Sequence, residues 1–589
     1  MLENNDYFVK NTLRKYFVPT VISILGSTAI TFINTLITGN LYEKAALAAV
    51  NLINPVTFLF AMFGCLICIG GSTCTSVAMG REDDEAVGAY VTLSLIAVVV
   101  IPLLFSVTGM LFFRPLLSLL GVTDELYAAA ADYGRVMLAT GMFTSFMYYP
   151  FNFLRVDGRG QYSMLIFGAM GVLDVLFVVG FHRAGFGLAG VGAAVALSTA
   201  LASAGGLAVL FFGKGHQLRL GRVRHPWSEL LQIFYAGGAA ALNNLCNMLR
   251  TIFLNALVLA ALGQDGVSMF AAACAALNFA SAFVAGAGQA ISPLAGVFFG
   301  ERDDVSLRML MKSAVRYSLF LMSGVFVLSL AGSVPLAYAF GMRGAYMVKG
   351  TAAAICWVML SLIPATIANC YIFYYMTIRR SAFASLLTFC RSFGFVALFA
   401  KLFAMAGARQ ILLAAFALGE LATLALNVLL AAGICKRHPQ LEGMLLLERR
   451  REKDCYISFS VPGSVDGAMT ASARMAEFCA QQGLDDQVSM MLPLAIEEML
   501  VLVNEHCFEG NEKMFSDVRI FLSNEEVLLR IRCGGKLFDP IADYRRRTVR
   551  MSGEELLMDE SLGIRMITEA AKSVTFRRTL GVNNLVVIL

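Results

Sequence analysis

Asp174 is the residue of this sequence whose type and position most directly suggest chemistry. It lies inside Gln161–Phe181, an apolar run about as long as one crossing of a bilayer. A carboxylate at that depth is costly unless it holds a proton, a cation or water, so an acidic residue inside a membrane segment is a functional hypothesis by default. The alternative is a structural aspartate that pairs with an arginine or caps a helix.

A second carboxylate, Glu420, also lies in the middle of an apolar segment. It is a candidate either for ion coupling or for a structural ion pair. Arg250 and Arg391 could each pair with Glu420 or with Asp174, and the sequence leaves this pairing open. The other candidates for a cation or substrate path are amide side chains, whose carbonyl oxygens can bind a cation: Asn34, Asn243 and Asn247.

The composition places these residues in a membrane protein. Of the 589 residues, 58% are hydrophobic and 15% are charged, and the mean hydropathy is +0.70. The net charge of +5 is dispersed, which argues against a nucleic-acid partner. Cys65 and Cys68 lie in an apolar run, where packing is the expected role of a thiol. We therefore expect no metal site and no tightly bound cofactor.

The hydropathy pattern predicts about twelve membrane helices. Lys and Arg fall mainly on one side of the predicted topology, which predicts that both termini are cytoplasmic. The beginning of the chain lacks the pattern of a cleaved signal peptide, so we expect the first helix to be retained. The approximate spans are 17–39, 49–79, 88–112, 127–150, 161–181, 187–212, 229–262, 267–299, 310–340, 351–377, 382–405 and 409–434.

The membrane part repeats itself. The motif GREDD begins at Gly80 and the motif GERDD begins at Gly300, and each precedes the third predicted helix of its half. FNFLRVDGRGQYSML and FYYMTIRRSAFASLL also correspond, with Ser163 and Ser385 separated by nearly the same offset as the two glycines. We therefore predict two six-helix lobes, residues 1–225 and 226–444. Parallel repeats of this kind surround a central cavity in secondary transporters.

After about Leu445 the long apolar runs stop and the charge rises. The remaining residues, 445–589, alternate strand patterns with amphipathic helices, including a helix around GIRMITEAAK. About 140 residues are enough for a core of their own. The sequence therefore predicts a separate α+β domain in the cytoplasm.

Residues 10 to 435 resemble the multidrug and toxin extrusion (MATE) family. The stretches that carry the resemblance are FINTLITGNLYEKAALAAVNLINP, SVAMGREDDEA, FLRVDGRGQYSML, VLDVLFV and AGFGLAGVGAAVALST. The resemblance implies twelve helices in two lobes and export of organic cations or related amphiphiles in exchange for sodium or protons. It also implies that Asp174 is the family's helix-five aspartate.

One position departs from the family pattern. Many prokaryotic members carry an acidic residue in the first helix, where this chain has Asn34 in FINTLITG. An amide cannot exchange a proton near neutral pH, although its carbonyl oxygen can still bind sodium. Asp174 is therefore the first candidate for the cation or proton carrier.

The tail, from about residue 452, resembles the histidine-kinase-like ATPase domain of anti-sigma-factor kinases. LAIEEMLVLVNEH, GGKLFDP, SLGIRMI and GVNNLVVIL carry the resemblance, which implies a nucleotide pocket at Glu498, Leu502, Cys533, Gly535, Asp539 and Gly563. Three family positions are changed: Leu502 replaces the magnesium-binding Asn, Cys533 the adenine-binding Asp, and Ser561 a loop glycine. These changes predict a degenerate domain that serves for docking or regulation without catalysis. Weak ATP binding is the first alternative, and retained ATP hydrolysis or kinase activity is the second.

The sequence thus predicts a cation-coupled antiporter in a prokaryotic plasma membrane, with a small amphiphilic substrate and no enzymatic activity. A cytoplasmic regulatory protein is the partner expected at the tail. Two alternatives stay open. One is a flippase for a lipid-linked precursor, and the other is a membrane-anchored signalling protein whose tail binds a regulator.

Overall fold

The structure is a computed structural model that describes residues 6–41, 44–120, 124–213, 216–340, 342–407, 411–448, 455–522, 527–548 and 571–589. The chain divides into two compact units. One is Leu13–Leu447, and the other is Glu448–Leu589 together with the start of the chain. The first unit contains the predicted membrane helices, and the second contains the predicted tail domain.

The membrane unit is built of α-helices, two of them interrupted by single π-helical turns at Cys65–Ile69 and Cys390–Gly394. In chain order the helices are α1 (Asp6–Leu41), α2 (Lys44–Gly64), α3 (Gly70–Gly80), α4 (Asp84–Leu111), α5 (Phe113–Leu119), α6 (Asp124–Phe146), α7 (Tyr148–Val156), α8 (Gly160–Arg183), α9 (Gly187–Phe212), α10 (Pro226–Gly300), α11 (Asp304–Ala339), α12 (Ala345–Thr377), α13 (Ser381–Phe389), α14 (Phe395–Met405) and α15 (Ala414–Arg437).

Within the described ranges, 10 helical segments are long and apolar enough to cross a bilayer. This confirms a helical, multi-pass membrane protein. The predicted spans 17–39 and 127–150 fall on α1 and α6, which are helical but are not among the ten. The count of twelve therefore stays a prediction. Helix α10 contains two spans, because Gly263 breaks it with a φ of 68° that suits glycine.

The two GREDD-like loops have the same local structure. Glu82 and Arg302, which occupy the same place in the two motifs, both have a positive φ, 61° and 55°. The next residue in each loop, Asp83 or Asp303, caps the following helix by accepting a hydrogen bond from the amide three residues later, at 2.9 and 3.0 Å. The repeated sequence therefore encodes a repeated turn and cap.

The second repeated turn follows α7 and α12. Gly158 (φ 82°) and Arg379 (φ 60°) occupy the same place in the two turns, and Arg159 and Arg380 immediately precede the next helices. The offset between the two turns is one position smaller than the offset between the two serines used to align the repeat from sequence. The lobe boundaries at 225/226 and 444/445 stay predictions.

Glycines bring α3 of the first repeat against α10 of the second. A Cβ atom at Gly80 would lie 2.2 Å from the carbonyl oxygen of Val297, and one at Gly300 would lie 2.4 Å from that of Val77. These approaches are shorter than any side chain allows, and the obstacles are backbone atoms. Small residues permit such close helix packing in a membrane, where apolar burial supplies little driving force.

A short hairpin follows the last membrane helix and packs on the same unit. Its strands are β1 (Leu441–Glu442) and β2 (Leu447–Glu448). The hydroxyls of Tyr374 and Tyr375 donate to the carbonyl oxygens of Leu445 and Met444, at 2.8 and 2.7 Å. The sequence did not predict this hairpin, which we call the clamp hairpin (Leu441–Leu447).

The tail unit contains a five-stranded antiparallel sheet, in the order β3-β4-β5-β7-β6. The elements are β3 (Cys455–Pro462), α16 (Val465–Gln482), α17 (Asp486–Leu502), β4 (Phe515–Leu522), β5 (Val527–Cys533), α18 (Pro540–Thr548), β6 (Ser573–Thr579) and β7 (Val582–Ile588). Val518, Ile531 and Met499 belong to one buried apolar core of strands and helices. The predicted strands and both predicted long helices are present, whereas most of the helix predicted around GIRMITEAAK lies outside the described residues.

Candidate functional site

Asp174 lies in α8, and its side chain is 3% exposed. The hydroxyl of Ser198, in the neighbouring helix α9, donates a hydrogen bond to Asp174 Oδ1 at 3.1 Å. Ser198 also contacts the carbonyl oxygen of Val195, one turn earlier, at 3.0 Å. A carboxylate and a hydroxyl thus converge from two helices, and hard cations prefer oxygen ligands of both kinds.

Tyr133 of α6 is a further polar side chain near this carboxylate. It is buried, and it lies close enough to Asp174 to experience its charge. Asp174 of α8 is thus hydrogen-bonded to α9 and lies near α6, and all three helices belong to the first repeat. Neither Ser198 nor Tyr133 was among the residues predicted from sequence. Ser198 could have been found from the polar ST pair in the Gly- and Ala-rich segment AGFGLAGVGAAVALST.

Glu420 has a different environment. Arg391 Nε donates to both of its carboxylate oxygens, at 2.9 and 3.0 Å. Arg391 Nη1 donates to Asn369 Oδ1 at 3.2 Å, and the Asn369 amide donates to the carbonyl oxygen of Val284 at 2.8 Å. Of the two arginines considered from sequence, the structure pairs Arg391 with Glu420. This environment favours a structural role for Glu420.

The π-helical turn at Cys390–Gly394 carries two of the residues in this cluster. It presents Arg391 to Glu420, and the next residue, Ser392, donates to Asn243 Oδ1 at 2.8 Å. Inserted π turns often reorient side chains at sites with a function. Arg250 lies over the ring of Phe416, 5.2 Å from its centroid. We call the residues Arg391, Glu420, Asn369, Asn243 and Ser392 the second-repeat polar cluster.

The two remaining amides of the predicted path are less informative. Asn247 is half-buried in α10, and its backbone carbonyl accepts a bond from Thr251 at 2.9 Å. Asn34 lies in helix α1, but its side chain is outside the described residues. The residues predicted for one cation or substrate path therefore lie at two places. Asp174 is in the first repeat, and Glu420 is in the second-repeat polar cluster.

Arg155 is a buried cation that the sequence analysis did not single out. It lies in the last turn of α7 and is 2% exposed. Its Nη1 donates to Gln289 Oε1 of α10 at 3.0 Å, and its guanidinium carbon lies 3.6 Å from the centroid of the Phe151 ring. Within the described part of the chain, its Nε and Nη2 atoms have no hydrogen-bond partner.

The tail positions that the family resemblance assigns to a nucleotide pocket have local structural roles. Leu502 packs against the apolar core of the tail, four residues after the half-buried Glu498. Asp539 Oδ1 accepts the amides of Ile541 and Ala542, both at 3.0 Å, and so caps α18. Gly563 lies outside the described residues.

Cys533 belongs to a buried group with Cys507 and Asn583. Asn583 Nδ2 lies 3.4 Å from the Cys507 sulfur and 3.7 Å from the Cys533 sulfur. A hydrogen bond from Cys533 lowers the pKa of the Cys507 thiol, whereas the same bond and burial raise the pKa of Cys533. The position expected to hold an adenine-binding carboxylate thus holds a neutral thiol that is already hydrogen-bonded.

Gly535 closes this group. Its φ is +93°, and a Cβ atom there would lie 2.1 Å from the carbonyl oxygen of Cys507. The amide of Lys536 donates to that same carbonyl at 3.0 Å. Glycine is therefore required for packing the loop against the π-helical turn Val503–Cys507, which follows α17. In the described residues, no group of three or more His, Cys, Asp or Glu side chains could hold a metal ion.

Residues 19–180 match the family model MatE. Among curated proteins, the multidrug export protein MepA of Staphylococcus haemolyticus is 23% identical over 320 residues, which cover 53% of this chain and 69% of that protein. MepA of Staphylococcus aureus is also 23% identical, over 337 residues covering 55% of this chain and 73% of MepA. Over the aligned residues the chain is thus similar to multidrug export proteins, and the matching family model lies in the first predicted lobe.

Solved structures give the fold. An outward-facing multidrug resistance MATE transporter of the MOP superfamily superposes with a TM-score of 0.68 at 20% identity, over 73% of this chain and 96% of that chain. A mutant of the Vibrio cholerae MATE transporter VcmN superposes with a TM-score of 0.69 at 17% identity, over 75% of this chain and 100% of that chain. The membrane unit therefore has the MATE fold.

Proposed function

We propose that this protein is a cation-coupled antiporter that exports amphiphilic or cationic organic compounds, with Asp174 as the coupling carboxylate. The observation that carries the proposal is the buried pairing of Asp174 with the Ser198 hydroxyl inside a MATE fold. An intramembrane carboxylate that also faces a second oxygen can take up a sodium ion or a proton. Glu420 is held by an arginine instead, which makes it the weaker candidate.

Coupling requires that the cation favour one access state over the other. A ligand shifts such an equilibrium only by the difference between its affinities for the two states. We infer that a cation bound at Asp174 changes the packing of α8 against α9, which meet at this residue. The substrate then leaves on the opposite side of the membrane, as in alternating access.

The test is counterflow of a panel of fluorescent amphiphiles, cationic, zwitterionic and acidic, in proteoliposomes, with sodium and proton gradients imposed separately. Wild-type protein should transport with one of the two gradients. Asp174→Asn should lose the gradient dependence, because an amide cannot release a proton and binds sodium more weakly. Ser203→Ala is the matched control, since Ser203 lies five residues after Ser198 and therefore on another face of α9.

Equal gradient-driven uptake by the wild type and Asp174→Asn, at equal reconstituted amounts, would refute the assignment of Asp174. Absence of counterflow for a panel of amphiphiles in the wild type, with either gradient, would refute the antiporter itself. The two outcomes can be distinguished because counterflow without an ion gradient measures substrate transport alone, whereas the gradient dependence measures ion coupling.

We further propose that the tail is a regulatory docking module without ATPase activity. The packing of Leu502 and the buried thiol at Cys533 support this, since neither can bind magnesium or the adenine amino group. Deleting residues 449–589 keeps the clamp hairpin. Unchanged transport by this variant would show that transport does not need the tail, which would then respond to the state of the transporter. Lost transport would show that the tail controls transport.

A further inference from the structure

We propose that Arg155 binds the anionic group, a carboxylate or a phosphate, of an amphiphilic substrate. This inference rests on the proposed transport function and narrows its substrate class to acidic or zwitterionic amphiphiles. Arg155 is 2% exposed, and its hydrogen-bond partner among the described residues is a neutral amide. Such an arrangement is unusual, because burial of a charge without a counter-ion is costly.

The geometry of the unpaired atoms matches an oxyanion. Nε and Nη2 lie on the same edge of the guanidinium, and their N–H bonds point in parallel toward the two oxygens of a carboxylate or phosphate. Neither atom has a partner among the described residues, while the third nitrogen, Nη1, is bonded to Gln289. Arg155 therefore offers a complete bidentate edge to an anion.

The other charged side chains of the same motif already have partners. In LRVDGRG, Asp157 forms an ion pair with Arg159 and accepts the amides of Gln217 and Leu218, at 2.7 and 3.0 Å. Arg159 donates to the carbonyl oxygens at the end of α9, at 2.7 and 2.9 Å. The Asp157 carboxylate therefore binds Arg159 and the loop amides. Arg155 thus receives no carboxylate from its own motif.

The repeat shows that the fold does not need a cation at this position. Gly158 and Arg379 occupy equivalent places in the two turns. The same offset along the chain makes Met376 the counterpart of Arg155, and Met376 is 1% exposed. An unbranched apolar side chain thus fills the corresponding buried position in the second repeat.

The position of Arg155 also suggests how a ligand would reach it. Its hydrogen bond to Gln289 connects α7 of the first repeat to α10 of the second. Separation of the two repeats, as alternating access requires, would break this bond and expose the unpaired edge. An anion that arrives in that state would bind the Nε and Nη2 edge and compensate the buried charge when the repeats close again and Nη1 returns to Gln289.

The test uses full-length protein in phosphatidylcholine nanodiscs and compares the wild type with Arg155→Met. The probes are N-dodecanoylglycine, dodecyl phosphate and the neutral N-dodecanoylglycinamide. Arg155→Met should weaken binding of the two acidic probes about 10- to 100-fold, as expected for loss of hydrogen bonds to a charged group. Binding of the neutral amide should not change, and Arg155→Lys should recover only part of the affinity, because Lys lacks the two-pronged edge.

Equal affinity of the wild type and Arg155→Met for the acidic probes would overturn the proposal. So would a lower unfolding temperature of ligand-free Arg155→Met, because a structural arginine should destabilise the protein when removed, whereas an uncompensated one should not. Inorganic phosphate and nanodiscs that contain phosphatidylglycerol, each tested without the probes, identify a free anion or a lipid headgroup as the natural source. Acid binding that persists without any counterflow would refute the transport function and leave the anion site standing.

Discussion

Arg391 and Glu420 form an ion pair between the π-helical turn and α15, with Arg391 Nε 2.9 Å from one carboxylate oxygen and 3.0 Å from the other. Asp174, in contrast, faces the hydroxyl of Ser198. Two intramembrane acids of similar appearance in the sequence thus have different environments. Removal of Glu420 should therefore change stability, whereas changes around Asp174 should alter coupling.

Glu420→Gln should destabilise the protein, because it leaves the charge of Arg391 buried without a counter-ion. The expected loss is about 3–5 kcal/mol, measured as a lower unfolding temperature in detergent. The double variant Glu420→Leu with Arg391→Met should recover most of the lost stability, because it removes both charges. Asp132→Asn is the control, since Asp132 is an exposed acid of α6. Normal stability of Glu420→Gln combined with lost ion dependence would instead make Glu420 the coupling residue.

Ser198→Ala should weaken the cation affinity of the Asp174 site and leave expression unchanged. Removal of one neutral oxygen contact should raise the sodium or proton concentration for half-maximal transport about 3- to 10-fold. The measurement is the ion dependence of counterflow in proteoliposomes, with Ser203→Ala in parallel. An identical ion dependence for the wild type and Ser198→Ala would show that the hydroxyl does not take part.

Gly300→Ala should be strongly destabilising, because its Cβ would lie 2.4 Å from a backbone oxygen of α3. The backbone must shift to relieve that clash, at a cost of about 1–3 kcal/mol or more. Gly324→Ala is the matched control, since a Cβ at this helical position meets nothing within 4 Å, and alanine there should be neutral or stabilising. Thermal unfolding of both variants should separate them, and equal unfolding temperatures would contradict the close packing of α3 and α10.

The double variant Tyr374→Phe with Tyr375→Phe should loosen the clamp hairpin. Each hydroxyl donates to a hairpin carbonyl, and each bond contributes about 1 kcal/mol. Limited proteolysis between residues 441 and 447 should therefore become several-fold faster. Tyr371→Phe, one turn earlier on the same helix, serves as the control. Unchanged cleavage in the double variant would show that other contacts hold the hairpin.

Glu498→Gln should leave any ATP turnover by the purified full-length protein unchanged. In an active site, loss of the general base lowers turnover by orders of magnitude. Here the position four residues later is a core leucine and the adenine position is a buried thiol. Phosphate release from MgATP should therefore equal the buffer background in both proteins. Turnover in the wild type that disappears in Glu498→Gln would overturn the proposed loss of catalysis.

The sequence predicted most of the architecture for physical reasons that are local. Membrane spans follow from the length of apolar runs, because every backbone group must be satisfied inside its own helix. The repeated loops follow from the Asp caps and the positive φ that recur at the same place in both repeats. The tail strands follow from alternating apolar residues, and the sheet they form was present as expected.

Contacts between helices distant in the sequence were not predictable in the same way. Nothing in the sequence distinguished Arg250 from Arg391 as the partner of Glu420, since both are long cations in apolar helices. The π-helical turn at Cys390–Gly394 determines the pairing, because it directs Arg391 toward Glu420 in α15. The clamp hairpin was missed because its bonds are made by tyrosines that are distant in the chain.

By itself, then, the sequence determined that this protein is a multi-pass helical membrane protein with repeated loop motifs, an acid in the fifth predicted span and strands after the membrane part. Tertiary structure alone decided which charges are compensated. Compensation depends on the distance between atoms of different helices, and hydropathy and periodicity carry no information about that distance. The Ser198 hydroxyl at Asp174, the arginine at Glu420 and the unpaired edge of Arg155 became visible only when the helices were packed.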